Sequence, residues 1–144
     1  MPTPLPPLLA ALHARLEAHV EATEEGVLIV EQDRRPPPGG SPQLPVLVFV
    51  PARPRPGATA GRVAPELIVE VVGPLTTDDR RARYARAGVI EYWRVDAAGP
   101  TITVHRGARP DGVWAEARVF GADEPLTSAL FPGLALRPGE LVGR

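Results

Sequence analysis

The sequence predicts an α/β domain with a mixed central sheet flanked by helices. Three observations carry this. The elements run as helix, strands, helix, strands, an order that suits a layered α/β or α+β sandwich. Two apolar runs, at residues 46–50 and 67–72, have the character of central strands covered on both faces. Residues 101–120 pattern as a hairpin around Pro110, Asp111 and Gly112.

The first element is a helix expected over residues 5–25. Prolines at its start suit a first turn, and Leu5, Leu8, Leu9, Leu12, Leu16 and Val20 form one apolar stripe at helical spacing. Gly26 ends the helix or opens the turn, and "VLIVEQ" follows as a strand. "DRRPPPGGSPQ" is a loop, "PVLVFV" a second strand, "PARPRPGATAGRV" a second loop and "ELIVEVV" a third strand. "TTDDRRARYARAG" predicts a short helix with Thr77 as N-cap, Asp78 and Asp79 at the positive end of its dipole and Gly88 at its stop. "EYWRVD" is a fourth strand, the hairpin follows, and the tail "DEPLTSALFPGLALRPGELV" is mostly loop with apolar anchors.

Composition narrows the chemistry. A chain of 144 residues suits one domain, and a net charge of −1 gives no global pull toward nucleic acid. No cysteine is present, which removes disulfides, thiolate metal sites and cysteine nucleophiles. His13, His19 and His105 are scattered rather than clustered, against a zinc site. All 16 basic residues are arginine, so mechanisms that require a lysine are excluded. No apolar stretch approaches the ~20 residues of a membrane span. The N-terminus lacks the pattern of a signal peptide, and the expectation is a soluble cytoplasmic protein without membrane contact.

Glu70 stands out. It interrupts the apolar run Leu67, Ile68, Val69, Val71, Val72, where a carboxylate is costly to desolvate unless something pairs with it. On residue chemistry alone, an ion pair with an arginine is the favoured account.

A resemblance adds a second account. "PELIVEVVGP", then "DDRRARYARAGVIEYWRVD", then "TITVHRG" is similar to the Uma-two family of restriction endonucleases, and "YARAGVIEYWRVD" follows its pattern almost unbroken. "EPLTSALFPGLAL" also looks like the family's ending. The likeness covers about residues 43–142; the first forty match poorly, and the N-terminal helix looks truncated relative to the family. It implies that residues 1–144 form one domain of the restriction-endonuclease-like, PD-(D/E)XK fold. There, two carboxylates on adjacent strands hold Mg²⁺ and a lysine positions or activates the attacking water. Such an ion polarises the phosphate and lowers the pKa of its bound water.

Carried over residue by residue, the resemblance makes Glu70 the strand glutamate, a metal ligand and catalytic residue. It places Val46 where the family has its aspartate, in "LPVLVFVP". Arg80, four residues before Tyr84, takes the place of the catalytic lysine. Gly73 replaces a serine, and the loop after Pro74 looks shorter than usual. Valine binds no metal. Arginine keeps the charge but stays protonated and presents a broad fork. Glu31, Glu66, Asp78 and Asp79 are the substitutes available, but Glu66 lies ~13 Å from Glu70 along an extended strand, and Asp78 and Asp79 are better read as helix-start residues.

Other motifs have plainer readings. His13 and Glu17 lie one helical turn apart on a solvated face. Arg80, Arg81, Arg83 and Arg86 make a basic run, either a phosphate-facing patch or a solvated helix pairing with Asp78, Asp79 or Glu91. Tyr84, Tyr92 and Trp93 read as packing residues. The expectation is an endonuclease-like protein of impaired catalysis: Mg²⁺ weakly held or absent, DNA as the partner and a homodimer as the assembly. The alternative is a non-catalytic domain that binds nucleic acid or protein. Glu70 is expected in a shallow cleft within reach of Arg80, with Val46 beside it on a neighbouring strand.

Overall fold

A computed structural model describes residues 7–23, 26–31, 46–51, 66–72, 81–96, 100–128, 130–131, 133–134 and 136–141. The elements are α1 (Pro7–Thr23), β1 (Gly26–Glu31), β2 (Val46–Pro51), β3 (Leu67–Val72), α2 (Arg81–Arg86), β4 (Glu91–Asp96), β5 (Thr101–Ala108) and β6 (Trp114–Phe120), followed by a 3₁₀ turn at Pro138–Leu141. Each strand lies within a residue or two of its expected place. Thr77, Asp78, Asp79 and Arg80 lie outside the described residues.

The six strands form one sheet in chain order. Neighbours are antiparallel except β3 and β4, which are parallel. Parallel strands cannot be joined by a tight turn, so the chain between them must cross over, and α2 lies in that crossover. The mixed sheet flanked by helices is therefore as expected. Gly88, with φ of 85°, follows α2 where only glycine reverses the backbone at little cost.

Strand alternation sorts the side chains into two layers. One face buries Leu47, Phe49, Leu67, Val69, Val71, Trp93, Val95, Ile102, Val104 and Phe120 against Leu9, Leu12, Leu16 and Val20 of α1. Leu126, Phe131, Leu136 and Leu141 of the tail close the same core. Phe131 joins the parts, meeting Phe49 and Trp93 edge-on at centroid distances of 5.1 and 6.4 Å. The opposite face carries a smaller cluster of Val48, Ile68, Val89 and Tyr92, with Tyr84 and Trp114 packed against it. β3 is thus buried on both sides, as its apolar run requires.

A fully buried carboxylate anchors the tail to the larger core. Glu91 accepts hydrogen bonds at Oε1 from Trp93 Nε1 (2.9 Å) and Ser128 Oγ (2.8 Å), while Arg106 Nε lies 3.4 Å from Oε2. Ser128 Oγ also accepts from the backbone N–H of Leu130 at 3.1 Å. This corrects two readings. Glu91 serves the α1 side of the sheet rather than pairing with the arginines of α2. Trp93, besides packing, donates to it.

Candidate functional site

On the face away from α1, alternation brings Glu70 of β3 beside Tyr92 and Arg94 of β4. The parallel register pairs Ile68 with Tyr92 and Glu70 with Arg94. On the other side of β3, Glu70 is the register partner of Val46, so the two lie side by side as expected. Val46 is in turn paired with Glu31. One row across the sheet therefore reads Glu31, Val46, Glu70, Arg94, Thr103.

Glu70 is buried, with 6 % of its surface exposed. Its carboxylate accepts from two phenols: Tyr92 Oη donates to Oε1 at 3.1 Å and Tyr84 Oη to Oε2 at 3.4 Å. Tyr84 comes from α2, and its ring tilts against that of Tyr92 at 5.0 Å. Burial, and then the neighbouring Glu70 charge, push the Tyr92 phenol well above its ordinary range, with Arg94 opposing. Tyr92 therefore stays protonated at neutral pH and remains a donor. Arg94 is half-buried, and its Nε is buried without a hydrogen bond among the described residues.

Beyond Tyr92 the aromatic layer continues. His105, the register partner of Tyr92, stacks on its ring at 5.4 Å and 18°, and Trp114 lies 6.0 Å from His105. These lead into an open groove of about 400 Å³ lined by Arg81, Ala82, His105, Gly112, Trp114 and Ala117. Glu70 is not among those lining residues; it sits behind the groove, under Tyr84 and Tyr92.

The packing reading of Tyr84 and Tyr92 is therefore incomplete, because their hydroxyls hold Glu70. The available signal was the choice of tyrosine over phenylalanine at two positions near a strand carboxylate. Arg94 was missed because it occupies an unspecified position in the family-like run. Arg80 lies outside the described residues, as do Asp78 and Asp79. His13 and Glu17 form the expected pair on α1, at 3.0 Å.

The described residues do not suit Mg²⁺. That ion takes hard oxygen ligands, commonly one or two carboxylates with substrate phosphates and water, in near-octahedral geometry. Here one carboxylate already accepts from two O–H groups, and its register neighbours are a valine and a guanidinium. Among the described residues, no group of three or more Asp, Glu, His or Cys side chains could hold a metal ion. No helix among them is long and apolar enough to cross a membrane.

Comparison with known proteins places these features in a context. The model of the Uma2 family, described as "Putative restriction endonuclease", matches residues 6–139. No curated protein matches the chain. Among solved structures, a protein from Anabaena variabilis ATCC 29413, titled a putative nuclease belonging to DUF820, superposes with a TM-score of 0.61 at 16 % identity. That match covers 97 % of this chain and 82 % of the other. At this identity the likeness concerns the fold.

Proposed function

Because the chain belongs to the Uma2 family, we propose that it is an endonuclease-like protein whose metal-binding position has become a hydrogen-bonded structural site. It keeps the fold and an affinity for DNA, and has lost efficient phosphodiester cleavage. The observation that carries this is the setting of Glu70. The carboxylate that the family likeness assigns to the metal is held by Tyr84 and Tyr92. Arg94 is its register neighbour on one side and Val46 on the other.

The physical consequence follows from charge. A cation entering beside Glu70 would displace two O–H donors and approach the Arg94 guanidinium. Arg80, in the lysine's place, would add a second fixed positive charge and supplies no neutral amine. Each change lowers affinity for a divalent ion, while arginines near the site still suit phosphate oxygens.

The test is incubation of supercoiled and single-stranded DNA with the protein in Mg²⁺ and in Mn²⁺. No cleavage above that of a Glu70→Ala variant is expected. Robust cleavage that disappears in Glu70→Ala would overturn the reading.

A further inference from the structure

We infer that the groove between α2 and the β5–β6 hairpin is a subsite for an unpaired nucleotide, with the base against Trp114 and the phosphate at Arg81. This rests on the reading that the protein keeps an affinity for nucleic acid, and it names which form of nucleic acid the protein takes.

The groove is built, not incidental. By strict alternation from Phe120, Trp114 would share the α1 side of the sheet; it packs instead with Tyr92 and His105. Beside it, Gly107 has φ of 72°, and a Cβ there would come 2.7 Å from the Cβ of Ala115, while the register runs unchanged from Arg106–Glu116 to Ala108–Trp114. The indole is then locked, because Trp114 Nε1 donates to the backbone carbonyl of Arg81 at 2.8 Å. A half-buried ring held by its own N–H is a fixed platform that loses little conformational freedom on binding.

The same hydrogen bond ties the platform to a cationic wall. Arg81 lines the groove. The Arg86 guanidinium lies over Gly112, another lining residue, close enough that a Cβ there would be 3.0 Å from its Nε. Asp111, the acid of the adjoining turn, has its Oδ1 engaged by the backbone N–H of Val113 at 3.0 Å. A floor of small residues, Ala82 and Ala117, leaves room for a flat ring. At about 400 Å³ the space is at the small end for ligand sites. A planar ring carrying an anion matches this combination of aromatic face and guanidinium groups. A base already stacked within a duplex cannot present its face to Trp114, so single strands are preferred.

The experiment is a titration of the full chain with a short oligothymidylate and with a duplex of equal length, in EDTA at low salt. Binding is followed by anisotropy of the labelled strand and by tryptophan emission. Trp93 is fully buried, so quenching reports Trp114. The single strand is expected to bind more tightly than the duplex and to quench emission. Trp114→Ala is expected to weaken binding about tenfold or more, with Trp114→Phe retaining most of it. Arg81→Gln, which leaves the backbone carbonyl in place, should reduce the salt slope by about 0.7, the value for one phosphate contact on a single strand. Tighter binding of the duplex, or unchanged single-strand affinity in both Trp114→Ala and Arg81→Gln with no quenching in the parent, would overturn the inference. Because EDTA removes divalent metal, this failure would leave the cleavage result untouched, and the two readings fail separately.

Discussion

Tyr92 donates its phenolic hydrogen to Glu70 across 3.1 Å, from the strand parallel to the one that carries the carboxylate. The bond joins the two strands most sheltered from solvent, and it answers the question that Glu70 raises in its apolar run. Removing the donor should therefore be costly. Tyr92→Phe keeps the ring and its stacking on His105 but strips a buried carboxylate of a partner. A loss of about 1–3 kcal/mol is expected, read as a lowered midpoint in urea at neutral pH. An unchanged midpoint would mean that Glu70 does not depend on this bond.

Alkaline pH offers a second handle. An unfolded tyrosine ionises near pH 10, whereas folded Tyr92 holds its proton beyond that because of burial and the Glu70 charge. Above about pH 10 the unfolded chain thus binds fewer protons than the folded one, and stability falls as pH rises, by at most about 1.4 kcal/mol per pH unit for this group. Below pH 10 the contribution is fully present. With two tyrosines in the chain, a phenolate absorbance titration should show Tyr92 ionising only as the protein unfolds, and Tyr92→Phe should flatten the alkaline loss of stability.

Glu91 should be a sensitive position on the other side of the sheet. Glu91→Ala removes the shared acceptor of Trp93 and Ser128 and the counter-charge of Arg106. A loss of about 3 kcal/mol or more is expected, with the tail from Ser128 onward becoming the first region to exchange amide hydrogens. A cost below about 1 kcal/mol would show that the tail is held by its leucines and Phe131 alone.

How far the sequence discloses all this depends on the range of the interaction. The strands were legible because their signals are local: unbroken apolar runs for β2 and β3, alternation about Pro110–Gly112 for the hairpin. The stripe Leu8, Leu9, Leu12, Leu16, Val20 likewise announces which side of α1 is buried. Glu70 was legible as an anomaly, and the position of Val46 beside it through the family likeness. Its partners were not. Tyr84, Tyr92 and Arg94 lie 14 to 24 positions further on, and only the parallel crossover brings them to Glu70. Glu91 was misjudged for a related reason. Its side of the sheet follows from register with β5, and its partner Ser128 comes from a tail whose path carries no periodic signal. Trp114 escaped notice because alternation predicts the wrong side, and its partners Tyr92, His105 and the Arg81 carbonyl come from other elements.

The row Glu31–Val46–Glu70 suggests a repair. Adjacent strands lie about 4.8 Å apart, so Val46→Asp sets a carboxylate at the register position next to Glu70. Together with Arg80→Lys, it should give a saturable heat on calorimetric titration with Mn²⁺ that the parent chain does not give. No heat from the double variant would show that the grip of Tyr84 and Tyr92 on Glu70, and not the missing aspartate, sets the barrier.

The central claim is that Glu70 is satisfied by the protein and not by a metal ion. The most direct measurement is the melting temperature of the full chain in EDTA and in millimolar Mn²⁺, with Glu70→Gln alongside. An ion bound only by the folded state at a hundred times its Kd would add about 2.7 kcal/mol, a rise of several degrees for a domain of this size. The expected result is the same melting temperature in both conditions for the parent chain. A rise of several degrees in Mn²⁺ that is absent from Glu70→Gln would contradict the account.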